Sequence, residues 1–246
     1  MYNLGIFTAE SIKEATITFK NKGYIAIDSV LEPQYIEQLY ALAPNVNYDA
    51  RGGYDEYCET IPWNKKERGD ELGKEIASKA LDHDFSYFHR ISPVRMDTEF
   101  ECKFVQEFTQ DIVRGGVLKD YIETVTGFDY LYTAYPTFSY YNNNHWITPH
   151  YDPTRKVAYL FYFNKFWKKH WGGDLCLLDE QDRVHTTIAP LGNRLVILNV
   201  SKPNFNKHFV SPVSRAGKNR YSLVGWYSER KPKDCLLYTS DAADDL

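Results

Sequence analysis

Four apolar stretches in the second half of the chain leave few folds open to it. Residues 156–163, 174–178, 194–200 and 220–227 are rich in β-branched and aromatic side chains and read as strands. Between them stand Asn164, Gly172-Gly173, Pro190 with Gly192-Asn193, and Ala216-Gly217, all residues that favour turns. Several short strands separated in this way predict a sandwich or a small barrel. The interior of such a barrel is a place where side chains from separate strands can converge on one ion.

The candidates for that convergence lie in and around the same stretches. If the chain is extended through His150-Tyr151-Asp152, its period of two puts His150 and Asp152 on one face. His208, on a returning strand, would complete two imidazoles and one carboxylate, the facial set that leaves positions open on Fe(II). A lone H-x-D triplet is weak evidence, since a turn carboxylate beside a half-exposed histidine gives the same pattern. Arg220 opens the last apolar stretch, and its planar guanidinium can grip a carboxylate through two parallel hydrogen bonds. The bland reading of Arg220 is a cap on an edge strand. Zn(II) is the bland alternative metal, although no general base for hydrolysis stands out. His145 has the wrong parity relative to His150 for a ligand, so contact with a substrate is its open alternative. His89 has no carboxylate at ligand spacing and reads as a core-rim residue, and His170 and His185 read as loop residues.

Read together, these residues resemble a known family. His150-x-Asp152, Arg155, Tyr162-Phe-Asn164, Trp171-Gly-Gly-Asp-Leu175, Pro190-Leu-Gly-Asn-Arg194-Leu-Val, His208-x-Val210-x-Pro212-Val and Arg220-Tyr-Ser-Leu-x-Gly-Trp226-Tyr are similar to the core of Fe(II)/2-oxoglutarate-dependent dioxygenases of the prolyl-hydroxylase type. Within that type the similarity is greatest to the ribosomal-protein prolyl hydroxylase catalytic domain and its small bacterial relatives. It is specific over residues 130–228 and thin before them. The resemblance implies iron ligation by His150, Asp152 and His208. It implies that Arg220 pairs with the distal carboxylate of 2-oxoglutarate, that the Tyr162 hydroxyl helps hold it, and that Tyr140 is a pocket tyrosine. Arg155 matches an arginine just beyond the iron aspartate, and no role is carried over for it. Asp152 stands where related halogenases carry a small residue, which argues against halogenation. O2 would be the second co-substrate, and the resemblance admits ascorbate as an accessory reductant.

Composition agrees with this setting. The chain has 246 residues, 43% of them hydrophobic, enough for one well-buried domain. Its formal net charge of -4 gives no general attraction for nucleic acid. Lys165, Lys168, Lys169 and His170 form the nearest approach to a basic patch and read as a solvated turn, with the rim of the site as a further option. Cys58, Cys102, Cys176 and Cys235 are scattered without any C-x-x-C pair, which fits a reducing compartment and predicts a cytoplasmic location. Neither a signal peptide nor a run of 18 apolar residues is visible.

The first half reads as a helical flank over residues 1–129. Helices are expected over 11–22 and 33–42, with a strand over 23–28 between them, then a long polar connection over 44–70, which is placed near the mouth of the site as a lid or as plain surface. A helix is expected over 71–81, and residues 85–91 read either as a strand or as the end of that helix. Residues 99–124 carry the longest helical pattern, which Gly115-Gly116 should divide, because two glycines cost about 2 kcal/mol inside a helix. Tyr130 is expected to begin the sheet, with Pro136 marking an edge or a bulge. Residues 229–246 read as a charged exit and a disordered tail.

The expected molecule is therefore one domain over residues 1–228: a double-stranded β-helix, or jelly-roll barrel, with N-terminal helices packed on one sheet. The resemblance implies hydroxylation of prolyl residues in a peptide or protein. Trp146, Trp167 and Trp171 are candidates for an aromatic rim, although satisfied packing is an equal reading of them. A free amino acid or other small metabolite is the rival substrate, and a non-catalytic metal- or ligand-binding barrel is the rival from another class. Oligomeric state is left open.

Overall fold

The computed structural model describes residues 1–94, 103–129, 131–133, 136–152, 154–201 and 206–229. The expected helix start at residues 99–102, the sheet start at Tyr130 and the tail after residue 229 lie outside these. Helix α1 (Ala9–Lys22) begins two residues earlier than its periodicity suggests, because Thr8 caps it by accepting a hydrogen bond from the Ser11 N–H. Gly23, at φ 71°, ends it and turns the chain into strand β1 (Tyr24–Asp28). Helix α2 (Pro33–Leu42) starts on its proline and buries Ile36 and Leu39.

The polar connection expected over 44–70 is instead a hairpin, β2 (Asp49–Tyr54) and β3 (Tyr57–Ile61), followed by helix α3 (Lys66–Lys79). Its glycines mark close backbone approach rather than a loop. A Cβ on Gly52 would come within 3.0 Å of both Ile76 on α3 and Phe88. Strand β4 (Ser86–Pro93) settles the ambiguous stretch after α3 as sheet. Helices α4 (Lys103–Arg114) and α5 (Val117–Thr126) are divided at Gly115-Gly116, where the Asp111 carboxylate accepts from the Leu118 N–H.

The remaining strands are β5 (Leu131–Thr133), β6 (Thr137–Tyr141), β7 (Trp146–His150), β8 (Val157–Tyr162), β9 (Leu175–Leu178), β10 (Val184–Ile188), β11 (Arg194–Asn199), β12 (His208–Val210) and β13 (Arg220–Glu229). All described pairings are antiparallel, in the order β1-β11-β8-β13-β6-β4-β7-β12-β9-β10. The ends of this path return towards each other, with the Tyr24 hydroxyl of β1 3.5 Å from the Thr186 hydroxyl of β10. The result is the jelly-roll architecture, a sheet nearly closed into a barrel with helices against one face. No described helix is long and apolar enough to cross a membrane.

Strand β8 shows how the apolar stretches produce this arrangement. Val157, Tyr159, Phe161 and Phe163 belong to the core shared with α1, α2, α4 and α5, whereas Ala158, Leu160 and Tyr162 belong to the barrel interior. Leu195 and Ile197 of β11 likewise face the helices, and Val196 and Leu198 face inwards. Both faces are buried, so both sets are largely apolar.

Candidate metal centre and acid pocket

His150 ends β7 and His208 begins β12, and the two are direct cross-strand partners, with ring centroids 4.3 Å apart. Asp152 follows His150 on the same side of the extended chain. One donor atom from each of His150, Asp152 and His208 lies within 4.8 Å of the others. The closest recorded approach, from His208 Nε2 to Asp152 Oδ2, is 3.6 Å.

The orientation of each donor follows from its other contacts. His150 Nδ1 is 2.9 Å from the Thr148 carbonyl, and His208 Nδ1 is 2.8 Å from the Asn206 carbonyl. A carbonyl only accepts, so Nδ1 carries the proton in both rings and Nε2 presents a lone pair to the shared space. The Trp226 indole, on the inner face of β13, donates to Asp152 Oδ2 at 2.9 Å and fixes the carboxylate. Burial, followed by the neighbouring His208, holds the His150 pKa below its usual value, which keeps the ring neutral. Two neutral imidazoles and one carboxylate fit a divalent ion of the Fe(II) type, with ligand positions to spare.

Arg220 lies beyond this cluster and is only 1% exposed. Its Nε donates to the Gly173 carbonyl at 2.7 Å and an Nη to the Tyr162 hydroxyl at 2.9 Å. The rings of Tyr141 and Tyr162 lie 5.2 and 4.8 Å from its Cζ. No described acid is recorded as an ion-pair partner of Arg220. Asp174 is nearby in charge, but its Oδ1 is buried without a hydrogen bond, and burial raises its pKa. A buried cation without a carboxylate partner is costly, and the end of a dicarboxylic acid would relieve that cost. Gly173 leaves the room: a Cβ there would sit 3.0 Å from the Trp167 ring and 3.1 Å from Arg220 Cδ.

The other expected site residues are distributed less simply. Register pairs Arg220 with Tyr141 and Tyr221 with Tyr140, so Tyr141 shares the face of Arg220. Tyr140 points the other way, edge-on to Tyr48 at 4.7 Å. Arg155 reaches Ser228 at 3.4 Å. Trp146 packs near Phe88 on the side of α3 and donates to Ser86, because a register shift between Ile147 and His150 reverses the expected parity. Trp167 and Trp171 meet edge to face at 5.6 Å, and Trp167 donates to the Gly172 carbonyl. His145 is buried against Phe88 at 5.2 Å and does not approach the metal cluster's donors.

The structure adds Phe85, Tyr87 and Tyr141 to the site, and joins to them His89, which the sequence reads as a core-rim residue. Phe85 is 5.5 Å from the His150 ring and 5.5 Å from Tyr87, Tyr87 is 5.9 Å from His89, and His89 is 5.0 Å from Tyr141. This row of rings links the metal-ligand end of the interior to Arg220. Its signal is the alternation in Phe85-Ser-Tyr-Phe-His, which becomes informative once the stretch is known to be a strand.

Residues 136–228 match the family model described as the 2OG-Fe(II) oxygenase superfamily. No curated protein matches the chain. Among solved structures, a Pseudomonas putida prolyl-4-hydroxylase is 15% identical, with 89% of this chain and 100% of that one covered at a TM-score of 0.58. A Trichoplax adhaerens prolyl hydroxylase, in complex with a hypoxia inducible factor oxygen degradation domain peptide fragment, is 16% identical, with 89% and 90% covered at 0.60. A 2OG-Fe(II) oxygenase family oxidoreductase from Burkholderia pseudomallei is 11% identical, with 91% and 93% covered at 0.59. At these identities the likeness is one of fold.

Proposed function

We propose that this dioxygenase, whose residues 136–228 match the 2OG-Fe(II) oxygenase superfamily, hydroxylates prolyl residues held in a peptide or protein. The observation that carries the reading is the occurrence, inside one barrel, of a His150-Asp152-His208 donor set and a buried Arg220 with no recorded acid partner. The first suits Fe(II), and the second suits the distal carboxylate of 2-oxoglutarate. When bound, iron supplies the redox chemistry by which 2-oxoglutarate and O2 become succinate and CO2, with one oxygen atom inserted into a substrate C–H bond.

The chain's own contribution is placement and exclusion of water. His150 and His208 are held as acceptors by backbone carbonyls, and Trp226 keeps Asp152 turned towards them. Arg220 and the Tyr162 hydroxyl form a rigid donor pair for the acid, already braced on the Gly173 carbonyl. The Tyr141 and Tyr162 rings bracket the guanidinium and keep the pocket dry, which strengthens its pairing with a carboxylate.

A peptide substrate is supported by the company this fold keeps. Structures similar to it include two prolyl hydroxylases, one of them solved with a peptide fragment. The test is to incubate iron-loaded protein, 2-oxoglutarate and O2 with two pools, proline-containing peptides and free amino acids, followed by mass spectrometry. A gain of one oxygen on proline in the peptide pool is expected. Hydroxylation confined to the free amino-acid pool would overturn the peptide assignment.

A further inference from the structure

His89 is the one ring of the interior row that carries hydrogen-bonding nitrogens and no metal role. It lies on β4 opposite Arg51 of β2, and its ring packs between Tyr87 and Tyr141. Its neighbours in sequence face the other way. Phe88 packs near Gly73 of α3, and Arg90 pairs with Asp70 of the same helix. The residue is half-buried. The row places it between the His150 end, reached through Tyr87 and Phe85, and Arg220, reached through Tyr141, and the charges of His145, Arg51, Arg220 and His150 all act on it. Burial is the largest influence and, with those neighbours, pushes its pKa down to about 3, so the ring is neutral at pH 7.

A neutral imidazole has one N–H, and Ser139 decides which nitrogen carries it. The Ser139 hydroxyl is 1% exposed and lies 3.1 Å from His89 Nδ1. It has no other recorded acceptor, and a buried hydroxyl must place its proton somewhere. Donation to Nδ1 leaves Nε2 as the N–H, on the edge of the ring turned away from Ser139. With the Arg220 guanidinium and the Tyr162 hydroxyl at the far end of the row, the interior then carries three kinds of donor.

We propose that His89 binds the co-substrate acid: its Nε2–H donates to a carboxylate oxygen of 2-oxoglutarate held between Arg220 and the metal ligands, with Ser139 fixing the tautomer. The assignment rests on the acid-binding reading given above. Phenylalanine at this position would keep the ring contact with Tyr141 and remove the donor, whereas glutamine would restore an N–H.

The test is calorimetric titration of 2-oxoglutarate into Mn(II)-loaded wild-type protein and the variants His89→Phe, His89→Gln and Ser139→Ala, so that no turnover is needed. His89→Phe should weaken binding by about 10-fold or more, as expected for a hydrogen bond to a charged group, with Mn(II) content unchanged. His89→Gln should recover part of the loss, and Ser139→Ala should weaken binding by less than His89→Phe. A wild-type dissociation constant in metal-loaded His89→Phe would overturn the assignment, and so would a variant that changes only the KM for a peptide. If His89→Phe does not fold, Ser139→Ala and His89→Gln decide: wild-type affinity in both overturns it. Wild-type protein that takes up Mn(II) but not 2-oxoglutarate would overturn the acid-binding reading itself, and this assignment with it.

Discussion

The two faces of the major sheet are equally buried but constrained in different ways. On the outer face, Phe161, Phe163, Leu195 and Ile197 meet helices, and any side chain of similar volume and shape can do that work. On the inner face, Arg220, Tyr162, Tyr141 and Trp226 each have a named atom to satisfy or to brace. The outer face therefore sets how strongly the barrel holds together, and the inner face sets what the barrel can bind. Substitutions on one face should leave the property of the other largely intact.

The largest separation is expected from Asp152→Ala. Its carboxylate is the only one in the metal cluster, so bound iron should fall and succinate formation should drop by more than about 100-fold. Circular dichroism and the unfolding midpoint should change little. Metal analysis and a succinate assay check this, and wild-type turnover in the variant would remove the donor set from the mechanism.

Phe161→Ala should show the reverse pattern. Phe161 is fully buried and its ring lies 5.5 Å from Phe108 on α4, so truncation should cost about 3–5 kcal/mol of stability. Under conditions where the variant is folded, its affinity for metal should stay near wild type. Urea unfolding with metal titration distinguishes the two faces, and a stable variant that has lost metal binding would show that they are not separable.

His89 supplies a smaller effect that reads the inner face through pH. Its folded pKa of about 3 lies below the ordinary histidine value near 6.5, so the unfolded state binds the proton more readily. The stabilising contribution is present above about pH 6.5 and is lost as pH falls from there towards the folded value. Between pH 7.5 and 5.0 the loss from this one ring is about 2 kcal/mol. His89→Phe should therefore reduce the acid-side decline in urea stability by about that amount. An unchanged decline would mean that the ring is protonated in the folded protein or is not buried as described.

Much of the inner face was legible in the sequence because strands alternate regularly. His150 and Asp152 share parity, His208 returns on a partner strand, and Arg220 opens an apolar stretch. The departures occur where regularity fails. The register shift between Ile147 and His150 sends Trp146 to the α3 side, and Tyr141 rather than Tyr140 is the cross-strand partner of Arg220. The β2–β3 hairpin was hidden because Gly52 and Gly53 look like loop residues, when their role is to let α3, β3 and β4 approach closely. His89 reads from sequence only as a core-rim residue, because its place in the interior depends on β4 lying beside β6, a long-range pairing that no local pattern announces.

If the metal donors and Arg220 hold two ends of one acid, titration of 2-oxoglutarate into anaerobic, Fe(II)-loaded protein should show it. Wild-type protein should bind the acid saturably. Arg220→Met should retain its iron and bind at least about 2 kcal/mol more weakly, roughly 30-fold, because one partner of a buried charge-assisted pair is gone. Equal affinity in the two iron-loaded proteins would contradict the account and return Arg220 to a purely structural role.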